Sequence, residues 1–439
     1  MTTKRLKLTR VGSLALWALA ILGHVQTVCG QGVLIPSVGP INQSMGGATV
    51  AAPIDSIGAL AWNPAAISGI ERSEVAFGLG LVLPTTSLSS AIPAFNLADS
   101  TDSEPGAAPV PTIGLVHHLA DSQWTVGLGI FGIGGFSSNY PASLTNPVLM
   151  PQATANNPLG GLGQVFAQAQ IFQIAPTLSY AVSERFSIGF APTITLASLI
   201  ADPLVFAPPN DADGDLVPRY GPGNGTRFAW GGGFQIGVYW TTESAWNWGI
   251  SFKSPQWMEP FRFNSRDELG GPVSARVNFD LPSIISLGTS YTGFERWVFA
   301  TDFRYFDYAS ASGFGDQGFR PDGAVAGLGW KSVFSFSQGV QYEWSDRLTV
   351  RMGYTYNQNP ISNDLTMFNV ATPLIIQHWL SLGATFWWNE SISTTVAWTH
   401  GFENEITGPL QSPGGPVPGS SVTSEVSADM LTFGATVVF

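Results

Sequence analysis

The segment ADMLTFGATVVF, residues 428–439, decides how the rest of the chain is read. From Leu431 onward every second residue (Leu431, Phe433, Ala435, Val437, Phe439) is apolar, so these side chains share one face of an extended strand. As a soluble edge strand, this segment leaves an aromatic terminus in water; as a wall between lipid and a lumen, it places that aromatic in the membrane. The pattern recurs upstream. In LTVRMGYTYN, Leu348, Val350, Met352, Tyr354 and Tyr356 alternate with Thr349, Arg351, Gly353, Thr355 and Asn357. In the stretch 297–306, Trp297, Phe299, Thr301, Phe303 and Tyr305 alternate with Val298, Ala300, Asp302, Arg304 and Phe306, so the charges fall on one side only. Trp344, Trp379, Trp387 and Trp398 stand near strand ends, where aromatic girdles meet the membrane interface.

Composition points the same way. Charged residues make up 11% of the chain, against roughly 25% in ordinary soluble proteins, while glycine (50), phenylalanine (28) and tryptophan (15) are abundant. Residues 1–30 form an export signal: Lys4, Arg5, Lys7 and Arg10 precede an apolar run over 11–23, and Val28-Cys29-Gly30 leads to cleavage after Gly30. A lipoprotein acylated at Cys29 is the weaker alternative, because Gln26-Thr27-Val28 matches a lipidation site poorly. Cleavage removes the only cysteine and four cations, taking the net charge from -12 to -16, so neither a disulfide framework nor a nucleic-acid partner is expected. Beyond the signal no uncharged apolar run is long enough for a membrane helix, which leaves a closed sheet as the way to satisfy every backbone group in lipid.

Fourteen strands are predicted, near 73–90, 110–120, 124–137, 164–181, 185–201, 226–241, 246–264, 273–292, 296–308, 332–345, 347–358, 377–388, 391–403 and 423–439. The fold class is therefore all-β, a 14-stranded antiparallel transmembrane β-barrel over 73–439. Links at 138–163, 202–225, 309–331, 359–376 and 404–422 are long and rich in Pro, Gly and Asn, as extracellular loops are. Residues 31–72 show no alternation, yet Ile41, Met45, Ile54, Ile57, Leu60, Trp62 and Ile67 carry more apolar surface than a disordered tail needs. They are predicted to form a compact plug inside the lumen.

Several of these stretches resemble the FadL family of outer-membrane transporters for long-chain fatty acids and aromatic hydrocarbons. The resemblance rests on Asn42-Gln43-Ser44-Met45-Gly46-Gly47-Ala48, Asp55 and Asn63-Pro64-Ala65, which look like the family's hatch, and on the wall segments 247–258, 281–291, 297–308, 338–361 and 378–402. It implies a barrel closed on the periplasmic side by the hatch, an apolar pocket under the extracellular loops, and a kinked third strand giving a lateral path into the membrane. It further implies passive uptake of a hydrophobic small molecule by a monomer without cofactors. The contacts expected are outer-membrane lipid, lipopolysaccharide and the barrel assembly machinery, which would read Phe439 as its signal. The kink is placed at Gly132, Gly134 and Gly135; relief of crowding against the plug is the other role open to such glycines. Phe131, Phe136, Leu149, Met150 and Phe166 are the expected pocket residues. Lys253, Arg262, Arg266 and Arg276 are either partners for a ligand carboxylate or lumenal cations paired or solvated there.

Enzyme signatures are lacking. The mature chain has four histidines, neither a Gly-x-Ser-x-Gly elbow nor a His-Glu-x-x-His pair, and His117 and His118 point to opposite faces of a strand. No metal site is expected: Asp211-Ala212-Asp213-Gly214-Asp215 begins like a calcium loop, but Leu216 and Pro222 stand where its glycine and its bidentate glutamate belong. A general aqueous porin and a structural or adhesive barrel are the competing readings.

Overall fold

The computed structural model describes residues 32–156, 159–223 and 228–439; the segment read as an export signal lies outside them. Fourteen strands form the wall: β1 Glu74–Ile92, β2 Ala108–His118, β3 Trp124–Tyr140, β4 Val165–Ser183, β5 Phe186–Asp202, β6 Ala229–Thr241 and β7 Trp246–Lys253. The second half follows as β8 Ile284–Tyr291, β9 Trp297–Phe306, β10 Val333–Ser345, β11 Leu348–Asn357, β12 His378–Trp387, β13 Ile392–Gly408 and β14 Ser421–Val438. Each pairs antiparallel with its neighbours in sequence, and the ring closes where β1 pairs with both β2 and β14. Lipid dictates the faces. Trp248, Ile250, Phe303, Phe334 and Phe433 are exposed on the outside, whereas the residues between them, such as Ser251, Asp302, Ser335 and Thr432, are buried.

The links alternate in length. Those at 119–123, 184–185, 242–245, 292–296, 346–347 and 388–391 are tight turns, while those at 93–107, 141–164, 203–228, 254–283, 307–332, 358–377 and 409–420 are long. Short periplasmic turns and long extracellular loops orient the barrel.

One pair of strands departs from the sequence reading. The alternation over 246–264 and 273–292 predicts two long wall strands, but β7 ends at Lys253 and β8 begins at Ile284. Pro255 and Pro282 lack the N–H that a ladder needs. Between them Phe261–Arg266 and Pro272–Val277 form a separate extracellular hairpin, tied to β6 through Gly231↔Met258 and Gly232↔Trp257.

The N-terminal segment fills the lumen at the short-turn end. Its two short helices are α1 Pro40–Ser44, begun by a proline, and α2 Ser56–Trp62, capped by Asp55, whose carboxylate accepts the Gly58 N–H at 3.0 Å. Ile57, Leu60, Trp62 and Ile67 are buried in the main apolar cluster. Packing against the wall is tight enough that a Cβ at Gly353 of β11 would overlap Gly46, so only glycine serves there.

Candidate functional site

Above the N-terminal segment lies an apolar cavity of about 370 Å³, within the range of small-molecule pockets. Its floor is Val33, its sides are Phe136 of β3, Phe166 and Ile171 of β4 and Leu199 of β5, and its roof is loop residues including Phe279, Phe314, Trp330 and Phe368. Aromatic contacts set the roof: Phe279 and Phe314 are 5.5 Å apart, and Phe314 and Trp330 4.9 Å. The Trp330 indole is fixed by its N–H to Asn369 Oδ1 at 2.7 Å. Among the described residues the only ionisable side chains lining this cavity are Asp202 and Tyr220.

Of the five residues expected to line a pocket, Phe136 and Phe166 do so. Phe131 is fully buried in the core beneath, and Leu149 packs in a second cluster with Leu88, Tyr140 and Val165 behind the cavity. Met150 is half-buried in the loop, and neither it nor Leu149 reaches the lining. Phe314 and Trp330 sit in a link without periodicity, and Phe279 lay inside the stretch 273–292 that reads as wall strand, so none of the three was legible as part of a roof.

At Gly132, Gly134 and Gly135 the backbone pairing is interrupted. Strand β3 skips a residue against β4 between Gly132 and Gly134. On its other side β3 pairs with β2 only from Thr112↔Phe131 to His118↔Thr125, while Ala108 to Pro111 of β2 pair with β1 alone. Two causes meet here. Gly135 adopts φ 153°, which side chains disfavour, and Pro109 and Pro111 on the facing edge have no N–H to donate. The N-terminal segment takes up the freed groups: Ile35 N–H donates to Ile133 O and Gly135 N–H to Val33 O, both at 3.0 Å. Pairing resumes above, where Glu104 N–H reaches Asn139 O at 2.9 Å. The interruption opens on a second apolar cavity of about 160 Å³, lined by Val110, Gly132, Gly134, Phe172, Leu374 and Trp379, among others. Val33, Phe136, Ala169 and Ile171 line both cavities, so the two are neighbours divided by one layer of side chains. Trp379, expected in an interface girdle, instead faces this second space.

The N-terminal segment is fastened around the ring. Asn63 Nδ2 donates to Val50 O (2.8 Å) and to Val238 O of β6 (3.0 Å), and its Oδ1 accepts the Ala65 N–H (3.1 Å). Pro64 and Ala65 press on Gly189 of β5, and Ala65 O accepts from Ser179 of β4 at 3.1 Å. Gln43 reaches Thr399 of β13 and Met430 O of β14, both at 3.1 Å. One further fastening was not singled out in the sequence. Asp302 of β9 accepts the N–H groups of Thr49 (2.8 Å) and Val50 (3.1 Å) and pairs with Arg304 at 2.7 Å. The Arg304 guanidinium donates to Gly47 O and stacks 3.8 Å from the Trp62 ring. Lys253 donates to Ala61 O (3.2 Å) and Gln173 Oε1 (3.0 Å). It is thus held by the plug, and Arg262, Arg266 and Arg276 lie outside both cavities, exposed on the extracellular hairpin.

Burial raises the Asp55 carboxyl to about 7, against the opposing Gly58 N–H and with help from the charge of Glu74. In the acidic run, Asp211, Asp213 and Asp215 converge, and Arg219 donates to Asp213 (2.5 Å) and lies 3.5 Å from Asp215. One guanidinium thus sits against two of the three carboxylates and is shared with Glu268.

A closed fourteen-stranded barrel, with an apolar outer belt, a filled lumen and an apolar cavity under its loops, defines an outer-membrane channel of the plugged type. Residues 28–439 match the model of the family described as outer membrane protein transport protein (OMPP1/FadL/TodX), and the chain belongs to that family. It is therefore a multi-pass protein of the bacterial outer membrane, in a family of transport proteins. The Pseudomonas putida toluene transporter TodX superposes with a TM-score of 0.68 at 17% identity, covering 94% of this chain and 99% of its own. A Pseudomonas aeruginosa FadL homologue gives 0.68 at 15% identity (93% and 100%), and the Ralstonia pickettii toluene transporter TbuX 0.66 at 16% (92% and 99%). At these identities the likeness is one of fold. No curated protein sequence matches the chain.

Proposed function

We propose that this protein is a passive outer-membrane channel for uncharged hydrophobic molecules, with single-ring aromatic hydrocarbons ahead of long-chain fatty acids. Ligand enters the upper cavity beneath the extracellular loops, passes Val33 and Phe136 into the lower one, and leaves through the wall between β2 and β3. Residues 31–72 serve as a hatch that stays in place. The observation that carries this reading is the pair of adjoining apolar cavities, the lower of which meets the interrupted ladder at Gly132. A cavity of about 160 Å³ suits one aromatic ring, since an apolar cavity of about 150 Å³ is known to take up benzene. The upper lining gives a carboxylate no cation among the described residues, and Asp202 there repels one. Two solved relatives of this fold are described as toluene transporters, which agrees with that preference.

Exit through the wall is favoured over removal of the hatch on energetic grounds. Among the described residues seventeen hydrogen bonds join the hatch to the strands, and at about 1 kcal/mol each their loss costs on the order of 15 kcal/mol, while the buried Asp302 and Arg304 are left without their hatch partners. The filled lumen also disfavours an aqueous porin. Uptake by cells whose outer membrane carries this chain in place of other hydrocarbon channels tests the proposal. Labelled toluene should enter well above the empty-vector rate, with a small sugar and a labelled long-chain fatty acid at background. Passage of the sugar without toluene would establish a porin instead.

A further inference from the structure

The extracellular hairpin carries an arrangement that the transport reading does not use. Its inner face, Phe261, Phe263, Ala275 and Val277, is buried in the apolar core. Its outer face exposes Arg262, Arg266 and Arg276. The register sets Arg262 directly opposite Arg276 on that face. Like charges in directly opposed positions destabilise a strand pair unless something of opposite sign lies over them. No described residue does so: among the described residues none of the three arginines has an ion-pair or side-chain hydrogen-bond partner. The nearby acids are engaged elsewhere. Asp267 holds the turn through Gly271 N–H (2.6 Å), Glu268 pairs with Arg219 (2.7 Å), and Glu259 accepts the Trp230 N–H (3.2 Å).

The chain limits how far the patch stands from the apolar belt. Trp230 and Trp257, 55% and 57% exposed, mark the outer rim of the apolar belt, and Trp257 pairs with Gly232 at the base of the hairpin. Arg262 lies five residues further along the chain, at most roughly 17 Å beyond that rim. A lipid phosphate just outside the apolar belt would be within that reach, and guanidinium groups bind phosphate through paired N–H donors. On a chain of net charge -12 this cationic face is a local exception.

We infer that Arg262 and Arg276, with Arg266 four residues further along the same face, form a docking site for the phosphorylated headgroup of a lipopolysaccharide molecule packed against the β6–β7 side of the barrel. The site is separate from the hydrocarbon route, so its test does not depend on transport. Full-length protein in neutral-detergent micelles, titrated with fluorescently labelled lipopolysaccharide, should bind it saturably and more weakly as salt rises. The double variant Arg262→Gln and Arg276→Gln, checked for folding by heat-modifiable migration, should bind at least tenfold more weakly. Dephosphorylated lipopolysaccharide should bind wild-type protein as poorly as the intact lipid binds the variant. Equal affinity of variant and wild type for the intact lipid would overturn the inference. So would undiminished binding of the dephosphorylated lipid, or full displacement by millimolar inorganic phosphate, which would indicate a general anion site.

Discussion

If solute leaves through the wall, fastening β2 to β3 across the interruption should stop it. The geometry offers a direct way. A Cβ built on Gly132 would lie 3.8 Å from Val110 Cβ, the mean Cβ separation of a disulfide, and 2.8 Å from Val110 Cγ1, where a cysteine sulfur would take its place. Gly132 is not among the positive-φ glycines, so a side chain there meets no backbone strain. The pair Val110→Cys and Gly132→Cys is thus expected to oxidise spontaneously outside the cytoplasm, and the mature chain has no other cysteine to compete. Closing a loop of this length stabilises the fold by about 3 kcal/mol in the chain-entropy view, so the oxidised barrel should resist heat at least as well as wild type. Bulk at Gly134 or Gly135 is a poorer test. A Cβ would stand 2.5 Å from Val33 O or from Ala169 O, respectively, and would displace the backbone rather than fill the gap. In cells, uptake of labelled toluene by the oxidised double variant should fall at least tenfold and return on addition of a membrane-permeant reductant; each single cysteine variant should be unaffected by reductant. An oxidised, folded variant transporting at the wild-type rate would refute the lateral route and return the exit to the hatch.

Other outcomes follow from the same contacts. Because Asp55 is raised to about 7 by burial, its contribution to hatch docking is complete below the unfolded value near 3.8 and is lost as pH rises through 7. The full change is on the order of 4 kcal/mol. Hydrogen exchange across α2 should therefore quicken between pH 5 and 8 beyond its intrinsic rate; Asp55→Asn, which keeps the cap, should remove the excess, and an unchanged pH profile in that variant would assign the effect elsewhere. Replacing Asn63 by Ala strips Val50 O and Val238 O of their shared donor and should lower hatch stability by about 2 kcal/mol, seen as faster protease cleavage within 40–62. Phe439, exposed on the outer face beside His117, gives the assembly test: Phe439→Asp should reduce the heat-modifiable, membrane-inserted fraction, and equal levels would deny it a signalling role.

The wall was legible because a strand between lipid and lumen must alternate, and Trp297–Phe306 and Leu348–Asn357 do so with their charges inward. Alternation is silent on whether a strand stays in the wall, which is why 246–264 and 273–292 read as continuous when prolines divert them into a hairpin. The kink was visible as glycines on β3, but its other half, Pro109 and Pro111 on β2, carries meaning only once the two strands are known to face each other. Asp302 and Arg304 were read as charges sharing one face of a strand, yet their partners are backbone amides and a carbonyl of a segment some 250 residues away, and no local pattern encodes that. The cavity was half legible: Phe136 and Phe166 lie on or beside strands, whereas Phe279, Phe314 and Trp330 are brought together by loop packing alone.

On the proposed route, a single-ring apolar molecule occupies the space beneath the extracellular loops on its way to the wall. Crystals soaked with a bromine-substituted benzene, with data collected at the bromine absorption edge, test it most directly. An anomalous peak is expected among Phe136, Phe166, Phe279 and Trp330, and a second beside Val110 and Gly132 that disappears in the disulfide-closed variant. Well-ordered soaked crystals with bromine in neither cavity, or only on the outer surface of the barrel, would contradict it.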